Sequence, residues 1–161
     1  MTAGLKVALE VALVCPQAEN IIFSMQEFAL RFHHFGLASR RPNQTLRFLQ
    51  GLGHEVVTQV YDPLQNVHLW LCAHAFMPTV ELVAPAEGPG PLDTILATSG
   101  EGVYHLCYET ENLKVSLESL KAAGLRVVCV STPKSAILFG GRKVSFYMVR
   151  DFGIIELLEP G

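Results

Sequence analysis

Two histidines and two glutamates recur at matched positions in this chain. Sliding the sequence along itself until His34 lies on His105 brings HFGLAS (His34–Ser39) over HLCYET (His105–Thr110) and LRFLQGLGHEVV (Leu46–Val57) over LESLKAAGLRVV (Leu117–Val128). A slightly longer slide lays VELVAP (Val80–Pro85) over IELLEP (Ile155–Pro160), and so Glu81 over Glu156. An internal repeat of this kind marks two copies of one structural unit. Each copy supplies one imidazole and one carboxylate. A mixed donor set of that type suits borderline divalent ions such as Zn, Co, Ni, Mn or Fe(II).

The elements that must position these four residues follow from hydrophobic periodicity, and each copy reads β-α-β-β-β. In the first, Phe32–Ser39 is strand-like and Pro42 opens a helix through Gly51, since proline is well tolerated in a first helical turn. Strands rich in Val, Leu, Thr and aromatic residues are expected over His54–Tyr61, Val67–Ala73 and Thr79–Ala84. The linker AEGPGP (Ala86–Pro91) precedes a short helix near Leu92–Ala97. The second copy gives a strand at Val103–Thr110, a helix over Leu113–Ala123 ending at Gly124, and strands at Arg126–Ser131, Lys143–Arg150 and Gly153–Leu158. Residues 1–30 then form an amino-terminal extension without a counterpart, 31–86 the first module, 87–101 the linker and 102–161 the second module.

Residues two apart in a strand share a face. His34 is therefore expected beside Phe32, Gly36 and Ala38, and His105 beside Val103 and Cys107. Glu81 shares its face with Thr79 and Val83, and Glu156 with Ile154 and Leu158. A carboxylate on such an apolar face is costly unless it is paired or bound to a metal. The neighbouring His33, Tyr104 and Tyr108 are expected on the opposite face in structural roles. His54, His68 and His74 lie in or beside turns and read as solvated. The glycine-bearing stretch Phe139–Lys143 reads as a loop, with Arg142 and Lys143 able to meet an anionic substrate tail.

Bulk properties bound the class. The chain has 161 residues, half of them apolar, which suits one compact domain or two small modules sharing a core. A net charge of −3 with no basic stripe argues against a nucleic-acid partner. The apolar opening Gly4–Val14 is too short for a membrane span and is interrupted by Lys6 and Glu10, so no membrane association is expected. The four cysteines form no paired framework, and three fall in apolar strand-like runs. Reduced, buried thiols and a cytoplasmic location are expected.

The motifs resemble those of the vicinal oxygen chelate superfamily, which includes glyoxalase I, methylmalonyl-CoA epimerase, extradiol dioxygenases and antibiotic-resistance proteins. The resemblance runs from about Phe32 to Pro160 and rests on H-x-G-x-A at His34, E-L-x-x-P at Glu81, H-x-x-Y-E at His105 and G-x-x-E-L at Glu156. It implies an α+β fold in which two tandem βαβββ modules form a curved mixed-sheet cup. It also implies one divalent metal held by His34, Glu81, His105 and Glu156, a small carbonyl or acyl-thioester substrate, and pairing into a homodimer. The implied reaction is proton transfer alpha to a metal-chelated carbonyl, by an isomerase or lyase similar to methylmalonyl-CoA epimerase or glyoxalase I.

The chain departs from the epimerase pattern in one place. Those enzymes carry a catalytic glutamate in a segment like P-E-x-G-V, and here the stretch is DPLQNV (Asp62–Val67), with Leu64 at the matching position. Asp62, Gln65 and His68 are the nearby substitutes. In glyoxalase I-like enzymes a ligand glutamate itself shuttles the proton, which would give Glu81 and Glu156 the catalytic role. The alternatives are a binding protein that sequesters a drug or metabolite in the same cup, and an Fe(II) dioxygenase, which needs only two histidines and one carboxylate.

Overall fold

A computed structural model describes residues 27–161 of the chain. Cys15 and nearly all of the expected amino-terminal extension lie outside the described residues, and Leu30 already belongs to the first strand. The elements are β1 (Leu30–Ala38), α1 (Pro42–Gly51), β2 (Glu55–Asp62), β3 (Val67–Ala73), β4 (Val80–Pro85), α2 (Pro91–Thr98), β5 (Gly102–Thr110), α3 (Leu113–Ala122), β6 (Val127–Ser135), β7 (Lys143–Val149) and β8 (Gly153–Leu158). Pro42 opens α1 in its first turn. The Asn112 side chain caps α3 by accepting from the Val115 N–H at 3.1 Å, which satisfies one of the free donors at a helix start. Gly124, at φ 80°, provides the left-handed residue just after α3.

All eight strands form one mixed sheet in the order β2-β3-β4-β1-β5-β8-β7-β6. The order is a palindrome of the two copies. β1 is parallel to β4, β5 is parallel to β8, and β1 and β5 meet antiparallel at the centre. On the outer face, α1 places Leu49 against Trp70, Cys72, Val80, Leu82 and Ala84, and α3 places Leu120 against Tyr147, Val149, Ile155 and Leu157. The inner face of the first half is closed by Leu92 and Leu96 of α2 together with Leu138. The second half packs Cys107, Ala136, Val144 and Leu158 on that same face.

Two local features differ from the periodic expectation. A short 3-10 turn at Ile137–Phe139 reaches across the inner face, and its three residues are too few to give a periodic signal. β6 continues through Pro133 to Ser135, beyond the expected end at Ser131; proline is tolerated there because β6 is an edge strand. Among the described residues, no helix is long and apolar enough to cross a membrane. Cys72 and Cys107 are buried free thiols, whereas Cys129, expected to be buried, is exposed on the edge strand.

Candidate metal centre and its cavity

The four repeated residues meet at the centre of the inner face, and all four are buried. Strand register explains how. One row across the sheet reads Glu81, Gly36, His105 (β4-β1-β5), and the next reads Glu156, Cys107, His34 (β8-β5-β1). Each row therefore places a glutamate and a histidine on either side of a small residue, and the rows are copies of one another. Gly36 is indispensable to its row, because a Cβ there would stand 2.0 Å from Cε1 of His105. The imidazole lies directly on the glycine backbone. Glycine in the H-x-G motif thus clears space for the ligand candidate of the other copy.

The donor atoms converge tightly. His34 Nε2 lies 3.4 Å from Glu81 Oε2 and 3.3 Å from Glu156 Oε2, and His105 Nε2 lies 3.4 Å from each. The two Nε2 atoms are 3.5 Å apart. Donors about 2.0–2.2 Å from a shared ion stand about 2.8–3.6 Å from one another at right-angle or tetrahedral bond angles, so the spacing fits a single divalent cation. Glu156 Oε2 is buried without a hydrogen bond, a polar atom that such a cation would satisfy. Burial works against the imidazolium of His105, but the close carboxylates of Glu156 and Glu81 outweigh it and hold its pKa up to about 9. His34 is raised by the same carboxylates against the same burial. Burial pulls Glu81 and Glu156 upward, and the two imidazoles bring both below the usual carboxylate range. Two buried carboxylates thus demand positive charge, which protons on the imidazoles or a bound cation can supply.

Two residues expected on the opposite face have moved to this one. Between β1 and β5 the register slips twice, leaving His33 as an extra residue on β1 and Tyr104 as an extra residue on β5. Each is a β-bulge immediately before a ligand candidate, and a bulge re-aims its side chain. His33 Nδ1 comes within 2.7 Å of His34 Nδ1, and its ring meets Phe139 edge-on. Burial and the neighbouring His34 lower the His33 pKa, which favours its neutral form. Tyr104 packs edge-on against His105, with ring centroids 4.5 Å apart, and lines a cavity. Strict alternation cannot reveal such bulges, although the aligned copies do pair His33 with Tyr104. Tyr108 keeps its expected place on the outer side, against the α3 cluster.

The cavity, about 290 Å³, adjoins the four-residue centre on the inner face. Its wall includes Val83 and Ile154, each two residues from a glutamate of the quartet, and Phe146, which pairs with Glu156 across the sheet. Leu64, Val67, Ile95 and Val130 make it largely apolar, while Gln65, Tyr104, Ser131 and Lys134 add polar groups. Of the three nearby substitutes for the missing glutamate, only Gln65 is there. Asp62 is buried and caps its turn, accepting from the Leu64 N–H at 2.8 Å and from Gln65 Nε2 at 3.1 Å. His68 alternates with Val67 and Leu69 on β3 and is exposed on the outer side, beside Tyr61 and Trp70.

Other expectations are corrected by packing. His54 is buried, its Nε2 within 3.1 Å of the Pro78 carbonyl. His74 closes a turn by accepting from the Phe76 and Met77 N–H groups. Arg142 is not free for an anionic tail: it pairs with Glu109 at 2.9 Å and donates to the Glu159 carbonyl at 2.8 Å. Glu109 also pairs with Arg31.

A double-repeat sheet with a buried His/Glu quartet on its inner face defines a class. Residues 33–146 match the Glyoxalase/Bleomycin resistance protein/Dioxygenase superfamily, and the chain belongs to that family. Among curated relatives, it is 33% identical over 81 residues to an ethylmalonyl-CoA/methylmalonyl-CoA epimerase of Cereibacter sphaeroides, a match covering 48% of this chain and 59% of that protein. Among solved structures, it is similar to methylmalonyl-CoA epimerase from Mycobacterium tuberculosis, at 20% identity and a TM-score of 0.65, with 81% of this chain and 88% of that one covered. A hypothetical protein of Bacillus halodurans superposes at a TM-score of 0.69 and 19% identity, covering 83% of this chain and 96% of its own. Methylmalonyl-CoA epimerase of Streptomyces coelicolor, solved with 2-nitronate-propionyl-CoA, is 20% identical with a TM-score of 0.62, over 81% of this chain and 97% of that one.

Proposed function

We propose that this chain is a divalent-metal-dependent enzyme that moves a proton alpha to a carbonyl, acting on an acyl thioester or similar small carbonyl compound. The observation that carries this reading is the convergence of His34, Glu81, His105 and Glu156, all buried, at donor separations that fit one cation. When bound, a divalent ion polarises the carbonyl of a chelating substrate as a Lewis acid and favours the charge of an enolate. The remaining work falls to the protein. Leu64 supplies no proton acceptor, so Glu81 or Glu156, the carboxylates nearest the cavity wall, takes the alpha proton and returns it. The apolar wall around Val83, Phe146 and Ile154 excludes water from the exchange. His33 fixes the tautomer of His34, accepting at Nδ1 so that Nε2 of His34 keeps its lone pair for the ion.

One observation favours a second reading. The wall residue Leu64 and the apolar cavity also suit a protein that only holds a small molecule. Metal content separates the two, with deuterium incorporation into methylmalonyl-CoA in D2O as the reaction readout. About one ion per chain, lost in His34→Ala, together with metal-dependent exchange, is the result expected of the enzyme. A metal-free protein that takes up none of Zn, Co, Ni or Mn yet binds its ligand in the presence of chelator would establish the second reading.

A further inference from the structure

We propose that Tyr104 contacts the substrate, its phenol donating a hydrogen bond to the carbonyl or enolate oxygen from the cavity side of His105. The inference rests on the proposed function above and assigns a residue that the repeat of histidines and glutamates does not include.

Three observations converge on it. The bulge on β5 exists at Tyr104 alone, and it turns this side chain from the outer face, where alternation would put it, onto the face of the quartet. The ring then spans from the His105 imidazole to the cavity wall, touching both. The hydroxyl has no hydrogen-bond partner among the described residues, and it is not one of the buried polar atoms cut off from solvent. A half-buried tyrosine on the wall of a largely apolar cavity, its hydroxyl not engaged by the protein, is available to donate to a molecule held there.

The counterpart in the first copy sharpens the assignment. His33 occupies the equivalent bulge, but Phe139 closes over it and its Nδ1 is engaged with His34. One bulge therefore serves the ligand from behind, and the other faces the substrate. Among the polar groups of the wall, Gln65 is engaged with Asp62, Ser131 and Lys134 stand on the edge strand β6, and Tyr104 is the donor that packs directly against a ligand candidate.

The test is calorimetric titration of 2-nitronate-propionyl-CoA, a planar thioester analogue, into metal-loaded wild type and Tyr104→Phe. Losing a hydrogen bond to a charged oxygen weakens binding by about tenfold or more, with metal stoichiometry and melting temperature unchanged. Wild-type and variant proteins binding equally would overturn the role of Tyr104 and leave the proposed function standing. A variant that loses metal in proportion to affinity shows that the tyrosine only packs His105, and the proposal fails. No binding by wild type loaded with any of Zn, Co, Ni or Mn overturns the thioester reading, and this assignment with it. In α-proton exchange with methylmalonyl-CoA, the expected variant loses kcat more than it raises KM, since the bond strengthens as charge builds on the oxygen.

Discussion

His33 and His34 share a short contact between ring nitrogens, and only one proton arrangement lets His34 present Nε2 to a cation. Removing the acceptor with His33→Leu should weaken metal affinity about 10–100-fold, while the fold persists; chelator competition measures it, and an unchanged affinity would remove His33 from the site. Leu64 offers the opposite experiment. Leu64→Glu returns a carboxylate to the cavity wall, and since a positioned base contributes about 10²–10⁴-fold, α-proton exchange with methylmalonyl-CoA should rise by at least tenfold. Exchange no faster than wild type would mean that Leu64 does not face the reacting carbon. The imidazoles also set a pH dependence for the metal-free protein. His105 is raised from 6.5 to about 9, so its stabilisation is complete below 6.5 and fades as pH climbs through 9. Glu81 and Glu156 are lowered, so theirs is complete above 4.5 and fades on acidification. Thermal melts without metal should therefore show greatest stability between these limits, with a fall toward pH 9–10 that added Zn suppresses. A flat profile would contradict the ion-paired quartet.

At the scale of elements, the site is an outcome of register at the β1–β5 seam. Both His/Glu rows cross this seam, and each has a small residue in the middle. Gly36→Ala adds a methyl where the structure leaves no space beside His105, so the imidazole or the strand must shift. The expected result is a loss of metal binding of at least tenfold together with a lowered melting temperature, measured by titration and calorimetry. Cys107, at the equivalent place in the second row, carries a small side chain, and its sulfur lies within 4.8 Å of a His34 ring nitrogen. A Gly36→Ala protein that binds metal normally would show that His105 can repack, and the row argument would fail. The same seam holds both bulges, so a single pairing of strands sets the direction of His33, His34, Tyr104 and His105 together.

At the scale of the whole molecule, a cation at this seam would tie the two copies to each other, since each contributes half of the donors. Its binding is then also folding energy. At free Zn a hundredfold above Kd, linkage predicts about 2.7 kcal/mol, which for a chain of this size raises Tm by about 5–11 °C. His34→Ala should abolish the shift, and a wild-type Tm indifferent to every divalent ion tested would argue against the centre.

The repeat by itself determined the βαβββ plan and the pairing of His34 with His105 and Glu81 with Glu156. Hydrophobic periodicity and turn residues are local, and β3, α1 and β8 begin and end at their expected residues. The four site residues were legible for the same reason, because two copies of one pattern reveal what a single polar residue on an apolar strand cannot. Only the tertiary structure decided where His33 and Tyr104 point, that His54 is buried, that Arg142 is held by Glu109, and that Phe139 closes over the histidines. Each of these depends on pairing between segments far apart in the chain. A bulge of one residue reverses a side chain without altering composition or period, and the energy that selects it lies in the neighbouring strand.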